Sequence, residues 1–215
     1  MNGRAASVPA SREPTDVDQG LAVTLAERGW AYARSFLPDP LWKSLATELR
    51  TVQAGNKLRR AGIGSGEGHR LAEEIRGDWI CWLDAAPRSP AQRQALARLE
   101  RLRRACNREL QLGLFEFEGH FAVYPDGAHY RRHRDQPRDS DARVLSCVLY
   151  LNEDWRPEDG GALRLYLDEG EARYVDVLPE GGALVCFLSA RFFHEVLPAR
   201  RGRLSLTGWF RRRTD

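Results

Sequence analysis

No apolar run in this 215-residue sequence approaches the roughly 20 residues that a membrane-spanning helix requires, and its opening stretch lacks the apolar segment of a secretion signal. A cytoplasmic protein is expected. The four cysteines, Cys81, Cys106, Cys147 and Cys186, form no Cys-x-x-Cys pair, so neither a zinc knuckle nor a dense disulfide framework is signalled. Reduced and mostly buried thiols are expected. A charge surplus is missing as well: 33 Lys and Arg face 30 Asp and Glu, and part of the net +3 sits in Arg211, Arg212 and Arg213 at the end of the chain. That balance, with no interleaved basic and aromatic strip, disfavours nucleic acid as a partner. A phosphate loop is also lacking. AGIGSGEG at 61–68 has glycine at alternate positions, but no Gly-x-Gly-x-x-Gly lies between a strand and a helix and no Gly-Lys-Ser/Thr follows. It reads as a loop or lid.

What is present suits one domain with a sizeable core. Residues 1–18 carry almost no large apolar side chains and are expected to form a flexible tail, with a single domain over 19–215. Helical spacing of Leu21, Leu25 and Ala26 predicts a helix over 21–30, followed by an extended stretch over 31–36 and a turn at Pro38-Asp39-Pro40. A second helix is expected over 41–52, a strand over 75–83, and a long helix over 89–110 with Leu96, Leu99, Leu102 and Cys106 on its apolar face. From Phe115 the period changes to two. Strands are expected over 117–124, 144–151, 162–167, 173–177, 183–188 and 203–210, separated by Gly, Pro and Asp turns. The predicted class is therefore α+β, with an antiparallel double sheet or barrel at about 113–212 and the helices of 19–112 packed outside it.

The local feature that carries chemistry is His133-Arg134-Asp135. In an extended segment residues i and i+2 face the same way, so His133 and Asp135 can converge on one ion while Arg134 points away. His194 lies 59 residues beyond Asp135, past the strand at 183–188, where a barrel can return it to the first pair. Two histidines and a carboxylate make the facial triad that leaves positions open on iron(II). His129 and His133 also stand four residues apart, a zinc spacing on a helix, but Pro125-Asp126-Gly127 and the strand-like context argue against a helix there. His69 and His120 remain as further competing ligands.

In the strand at 203–210, Leu204, Leu206 and Phe210 occupy one face, and Arg203, Ser205, Thr207 and Trp209 the other. If the second face lines a cavity, the Arg203 guanidinium can grip a carboxylate with two parallel hydrogen bonds. A dicarboxylate such as 2-oxoglutarate suits it, with the 2-oxo acid end on iron and the far carboxylate on Arg203. Tyr150, sharing a face with Val148 and Ser146, can add a hydroxyl donor.

Taken together, IRGDWICW, AVYPDGAHYRRHRD, VLYLNEDW, GGALRLY, FFHEVLPA and RLSLTGWF resemble the prolyl hydroxylase branch of the 2-oxoglutarate oxygenases over about residues 75–210. The likeness includes the animal oxygen-sensing enzymes and their bacterial counterparts. It implies a double-stranded β-helix, a jelly-roll or cupin-like core, with iron(II) at His133, Asp135 and His194 and 2-oxoglutarate at Arg203 and Tyr150. Tyr124 matches a further tyrosine of the cosubstrate pocket, Tyr130 one near the iron, and Trp209 a tryptophan beside the substrate proline. Asp78 and Arg143 match a charge pair that positions a mobile substrate loop, here residues 59–74. The implied reaction is 4-hydroxylation of a prolyl residue in a protein, consuming dioxygen and 2-oxoglutarate and releasing succinate and carbon dioxide, with ascorbate as reductant. Bacterial relatives point to elongation factor Tu as the partner. The loop is richer in glycine than in the animal enzymes and one extra residue stands between Asp135 and Val144, so their peptide specificity does not carry over. Two other readings fit the same residues: an oxygenase of a small molecule or nucleobase, and a silent regulator that binds 2-oxoglutarate or oxygen. The complete triad and Arg203 favour an enzyme.

Overall fold

The structure is a computed structural model that describes residues 4–5, 16–62, 72, 74–136 and 140–213. The chain runs β1 (Arg4–Ala5), α1 (Val17–Arg28), β2 (Trp30–Ala33), α2 (Asp39–Ala54), β3 (Arg59–Arg60), β4 (Trp79–Trp82) and α3 (Pro90–Leu110). It continues through β5 (Glu116–Tyr124), β6 (Tyr130–His133), β7 (Arg143–Tyr150), β8 (Leu163–Tyr166), β9 (Arg173–Val177), β10 (Leu184–Leu188), β11 (His194–Val196) and β12 (Arg203–Arg211). A seven-stranded sheet, β2-β10-β7-β12-β5-β4-β3, faces a five-stranded sheet, β1-β9-β8-β11-β6. Apart from the parallel pairing of β1 with β9, the ladders are antiparallel, which gives the expected double-stranded β-helix.

Strand alternation sorts the side chains of the larger sheet into two layers. Leu145, Cys147 and Leu149 of β7, Leu204, Leu206 and Phe210 of β12, and Phe121 and Val123 of β5 pack against the helices. Those helices contribute Leu21 and Leu25, Trp42 and Leu45, and Leu99, Leu102 and Cys106. Each leucine buried this way is worth roughly 2 kcal/mol of transfer free energy. The residues between them in sequence, among them Val148, Tyr150, Ala122, Tyr124, Val185 and Phe187, point instead into the space between the sheets. There they meet Leu163, Leu165, Val175 and Val177 of the smaller sheet, and this inner layer holds the site.

Several boundaries differ from those expected. Asp16 caps α1 through Asp18 N–H, and Asp18 is buried against Arg98 at 2.6 Å, so residues 17 and 18, expected in the tail, belong to a helix anchored by its own first turn. Gly29 closes that helix at φ +81°, and Trp30 therefore opens β2 rather than ending α1. Arg59 and Arg60 of the expected loop pair with Ile80 and Trp79, while residues 63–71 and 73 of it lie outside the described residues. Ile80 is buried, yet Trp82, on the same face, is exposed.

β7 ends at Tyr150, opposite Ser205, but β12 extends two residues past that pair to Arg203, and the Asn152 side chain carries the ladder on. Its amide nitrogen donates to Pro179 O at 2.8 Å and Leu204 O at 3.0 Å, and its oxygen accepts from Leu204 N at 2.7 Å. All three bonds are buried, and they fix the strand beside Arg203. Asn152→Ala leaves the Leu204 N–H unpaired and is expected to lower unfolding free energy by about 2 kcal/mol, read as a fall in the urea midpoint. A midpoint unchanged from the native protein would show that the ladder does not need this amide.

Candidate metal and cosubstrate site

β6 and β11 pair antiparallel with His133 directly opposite His194, so the sheet itself closes the long sequence gap between them. Asp135 stands in the bend after β6 rather than in the strand. His133 Nε2 lies 3.5 Å from Asp135 Oδ1, and His194 Nε2 lies 3.6 Å from Asp135 Oδ2. Among the described residues these three form the group able to hold a metal ion. The Nδ1 of His133 is 2.8 Å from Arg131 O. A carbonyl only accepts, so that nitrogen carries the proton and Nε2 presents its lone pair to the ion. His194 makes a longer version of the same contact to Phe192 O at 3.5 Å.

Burial alone would raise the Asp135 carboxyl, but His194 and His133 beside it outweigh this and hold it well below the usual carboxylate range. Burial, and then His194, push the His133 imidazole down. The carboxylate is thus ionised and His133 neutral at neutral pH, the forms that bind metal. Tyr130 stacks on His133 with ring centroids 3.6 Å apart and an interplanar angle of 18°. His129 stays outside the cluster, 3.4 Å from Glu74 O, and no helix forms there to create the zinc spacing. His69 lies outside the described residues.

The three ligands line a cavity of about 590 Å³ that also takes in Arg203, Tyr124, Tyr130, His120 and Trp209. Arg203 is 1% exposed, and among the described residues no carboxylate pairs with it. Its Nε donates to Gly161 O at 2.8 Å, whereas Nη2 has no partner. The Tyr150 hydroxyl is also buried without a partner, and the guanidinium lies 5.2 Å from that ring and 5.0 Å from Tyr124. Burial raises both phenols, so they stay protonated and able to donate. A buried cation beside an unused hydroxyl donor calls for an anionic acceptor, and the far carboxylate of 2-oxoglutarate has the right chemistry. Gly160 and Gly161, at φ +64° and +65°, make this cradle possible. A Cβ on Gly160 would sit 2.4 Å from Pro198 O, and one on Gly161 would sit 3.2 Å from Arg203 Cδ.

Trp209 and Thr207 line the same wall as Arg203, as the alternation of that strand required. Arg134 does not simply point away: it borders the cavity, stacks 4.0 Å from the Phe193 ring and reaches Glu169 at 3.3 Å. The expected Asp78–Arg143 pair is not formed. Arg76, only two residues before Asp78, fits both carboxylate oxygens at 2.6 and 2.9 Å, and Arg143 bonds Glu118 at 2.9 Å with its guanidinium 3.6 Å from the Trp209 ring. Arg76 also lies 4.7 Å over Tyr130, which stacks on His133, so Asp78 is tied to the metal centre through three contacts. Sequence reasoning passed over Arg76, although its i, i+2 spacing to Asp78 in an extended segment was a usable signal. His120 was also missed as a wall residue; it shares a strand face with Ala122 and Tyr124. Buried beside Trp209, it has its pKa pushed down to about 3, first by burial and then by Arg76.

Residues 119–211 match the 2OG-Fe(II) oxygenase superfamily. A crystal structure of a Pseudomonas putida prolyl-4-hydroxylase superposes with a TM-score of 0.83 at 48% identity, covering 92% of this chain and 100% of that one. The chain belongs to the prolyl hydroxylase branch of the 2OG-Fe(II) oxygenase superfamily. A prolyl hydroxylase from Trichoplax adhaerens, solved with a hypoxia inducible factor peptide, matches this oxygenase with a TM-score of 0.81 at 26% identity over 91% of this chain and 89% of that one. Egl nine homolog 1 from Homo sapiens is 31% identical over 86% of this chain. The chain spans only 44% of the length of that human relative, and 52% of the one from Mus musculus. The superfamily requires iron(II), 2-oxoglutarate and dioxygen, and this oxygenase has the His–Asp–His iron site.

Arg203→Lys keeps the charge but loses the planar fork, and is expected to raise the Kd for 2-oxoglutarate about 10- to 100-fold, in line with a lost hydrogen bond between charged groups. Tyr150→Phe should raise it to a smaller extent. Binding can be followed by tryptophan fluorescence of the manganese(II) form. Native affinity in Arg203→Lys would place the cosubstrate elsewhere.

Proposed function

We propose that this oxygenase is a peptidyl-prolyl 4-hydroxylase, in which His133, Asp135 and His194 hold iron(II) and Arg203, with Tyr150 and Tyr124, holds 2-oxoglutarate. The observation that carries this reading is the sharing of one cavity by the metal ligands, an unpaired buried guanidinium and the Trp209 wall. Iron(II) with 2-oxoglutarate and dioxygen supplies the oxidant that turns a C–H into a C–OH, with succinate and carbon dioxide as coproducts. The residues of the chain do the rest. Arg203 and Tyr150 orient the cosubstrate by its far carboxylate, which leaves its 2-oxo acid end toward the histidines. Trp209 offers an apolar face to a prolyl ring, while Tyr130 packs on His133 and keeps its imidazole in place. Arg143, stacked on Trp209, and Arg76, held from behind by the buried Asp78, line the same cavity and are the proposed borders of peptide entry. Closure of the cavity around the reacting C–H excludes water from the reaction.

A protein substrate is supported by the Trichoplax enzyme, which was solved with a peptide fragment. The candidate partner is elongation factor Tu, on the likeness to bacterial relatives, and the place of action is the cytoplasm, which suits four free cysteines. Among the described residues no helix is long and apolar enough to cross a membrane.

Incubation of elongation factor Tu with the protein, iron(II), 2-oxoglutarate and ascorbate should add the mass of one oxygen atom to a single prolyl residue, located by peptide mass spectrometry. Succinate formation with an unmodified factor would reject this partner while leaving the oxygenase activity standing.

A further inference from the structure

Behind Asp135 lies a pair of hydroxyls that the roles given so far do not use. Ser146 Oγ donates to Asp135 Oδ2 at 2.7 Å, and Ser189 Oγ lies 2.9 Å from Ser146 Oγ. Both serines are buried, at 1% and 0% exposure. A serine hydroxyl has one proton to give, and an ionised carboxylate can only accept. The Ser146 proton therefore goes to Asp135, and the 2.9 Å contact must be a donation from Ser189 to Ser146. The pair is a directed chain from Ser189 through Ser146 to Asp135.

Its anchors are held by the sheet, whereas Asp135 is not. Ser146 sits within the sheet, opposite Phe187 of β10 and Trp209 of β12. Ser189 follows β10 directly, and its backbone N–H donates to Val144 O at 3.0 Å. Asp135, by contrast, stands in a bend beyond the last paired residue of β6. The imidazole nitrogens at 3.5 and 3.6 Å are at ligand-to-ligand spacing, so Ser146 is the hydrogen bond that sets the plane of the carboxylate. It also occupies Oδ2 and leaves Oδ1 free for an ion.

We propose that Ser146 and Ser189 are positioning residues of the metal centre, holding Asp135 as a one-oxygen ligand and thereby setting its affinity for a divalent cation. This rests on the assignment of the metal centre and is independent of the substrate. Partners behind a metal ligand typically change affinity about 10- to 100-fold when removed.

The test is a titration of cobalt(II) into the metal-free full chain, followed by its visible absorption, without oxygen or substrate. Ser146→Ala should weaken binding about tenfold and alter the absorption bands, because the carboxylate loses the hydrogen bond that fixes its plane toward the ion. Ser146→Thr, which keeps the hydroxyl, should restore native affinity and spectrum. Ser189→Ala should weaken binding by a smaller factor, about threefold. Native affinity and spectrum in Ser146→Ala would overturn the proposal. If circular dichroism shows that Ser146→Ala does not fold, Ser189→Ala decides, and native affinity there overturns it. Asp135→Ala separates the two levels: cobalt(II) bound at native affinity by that variant would mean that the centre itself is misassigned.

Discussion

A guanidinium taken out of water with no carboxylate beside it carries a penalty of several kcal/mol, and the fold accepts that penalty at Arg203. Much of the surrounding structure serves to keep it there. Gly161 O takes Nε, two consecutive glycines with positive φ let the backbone approach, and Asn152 holds the neighbouring Leu204 on both its N–H and its carbonyl. Tyr124 and Tyr150 wall the charge with rings whose hydroxyls remain protonated. With Nη2 of Arg203 and the Tyr150 hydroxyl still unpartnered, the arrangement would be completed by an anionic ligand such as a dicarboxylate, which is the basis of the proposed cosubstrate site.

The second constraint is geometric. An antiparallel sheet with alternating side chains can put leucines against helices on one face and chemistry on the other, without any loop crossing the core. β7 shows both roles in consecutive residues: Leu145, Cys147 and Leu149 anchor the helices, while Ser146, Val148 and Tyr150 face the cavity layer. The smaller sheet supplies the metal ligands at its edge through the pairing of β6 with β11. Opposed strands therefore place His133 and His194 together, and the serine pair then orients the carboxylate that neither strand holds.

Much of this was legible in the sequence because alternation is a strong signal where strands are long and half apolar. The faces of β12 and the inward direction of Tyr150 followed from it, and so did the long α3. β6 and β11 were harder to read. YRRH and HEV are short and mostly polar, with His133 and His194 at their inward positions, so the apolar period that reveals a strand is absent. The start of α1 was hidden for a related reason: Asp18 looks like tail composition until its buried partner Arg98, far along the chain, is known. The same limit applied to Ser189, whose partner Ser146 is brought to it by strand register, which motif spacing does not encode. The local His133-Arg134-Asp135 pattern with the distant His194 named the three side chains that the structure brings together, while the motif likeness assigned Asp78 to Arg143 where the nearer Arg76 prevails.

The central claim is that one cavity holds a divalent ion at His133, Asp135 and His194 while Arg203 and Tyr150 take the far carboxylate of 2-oxoglutarate. A crystal structure of the protein grown without oxygen, with manganese(II) and 2-oxoglutarate, tests it most directly. The expected map shows the ion on the two Nε2 atoms and Asp135 Oδ1, with the far carboxylate on Arg203 Nη2 and the Tyr150 hydroxyl. Density for the ion or the cosubstrate away from these atoms, with Arg203 still unpaired, would contradict the account.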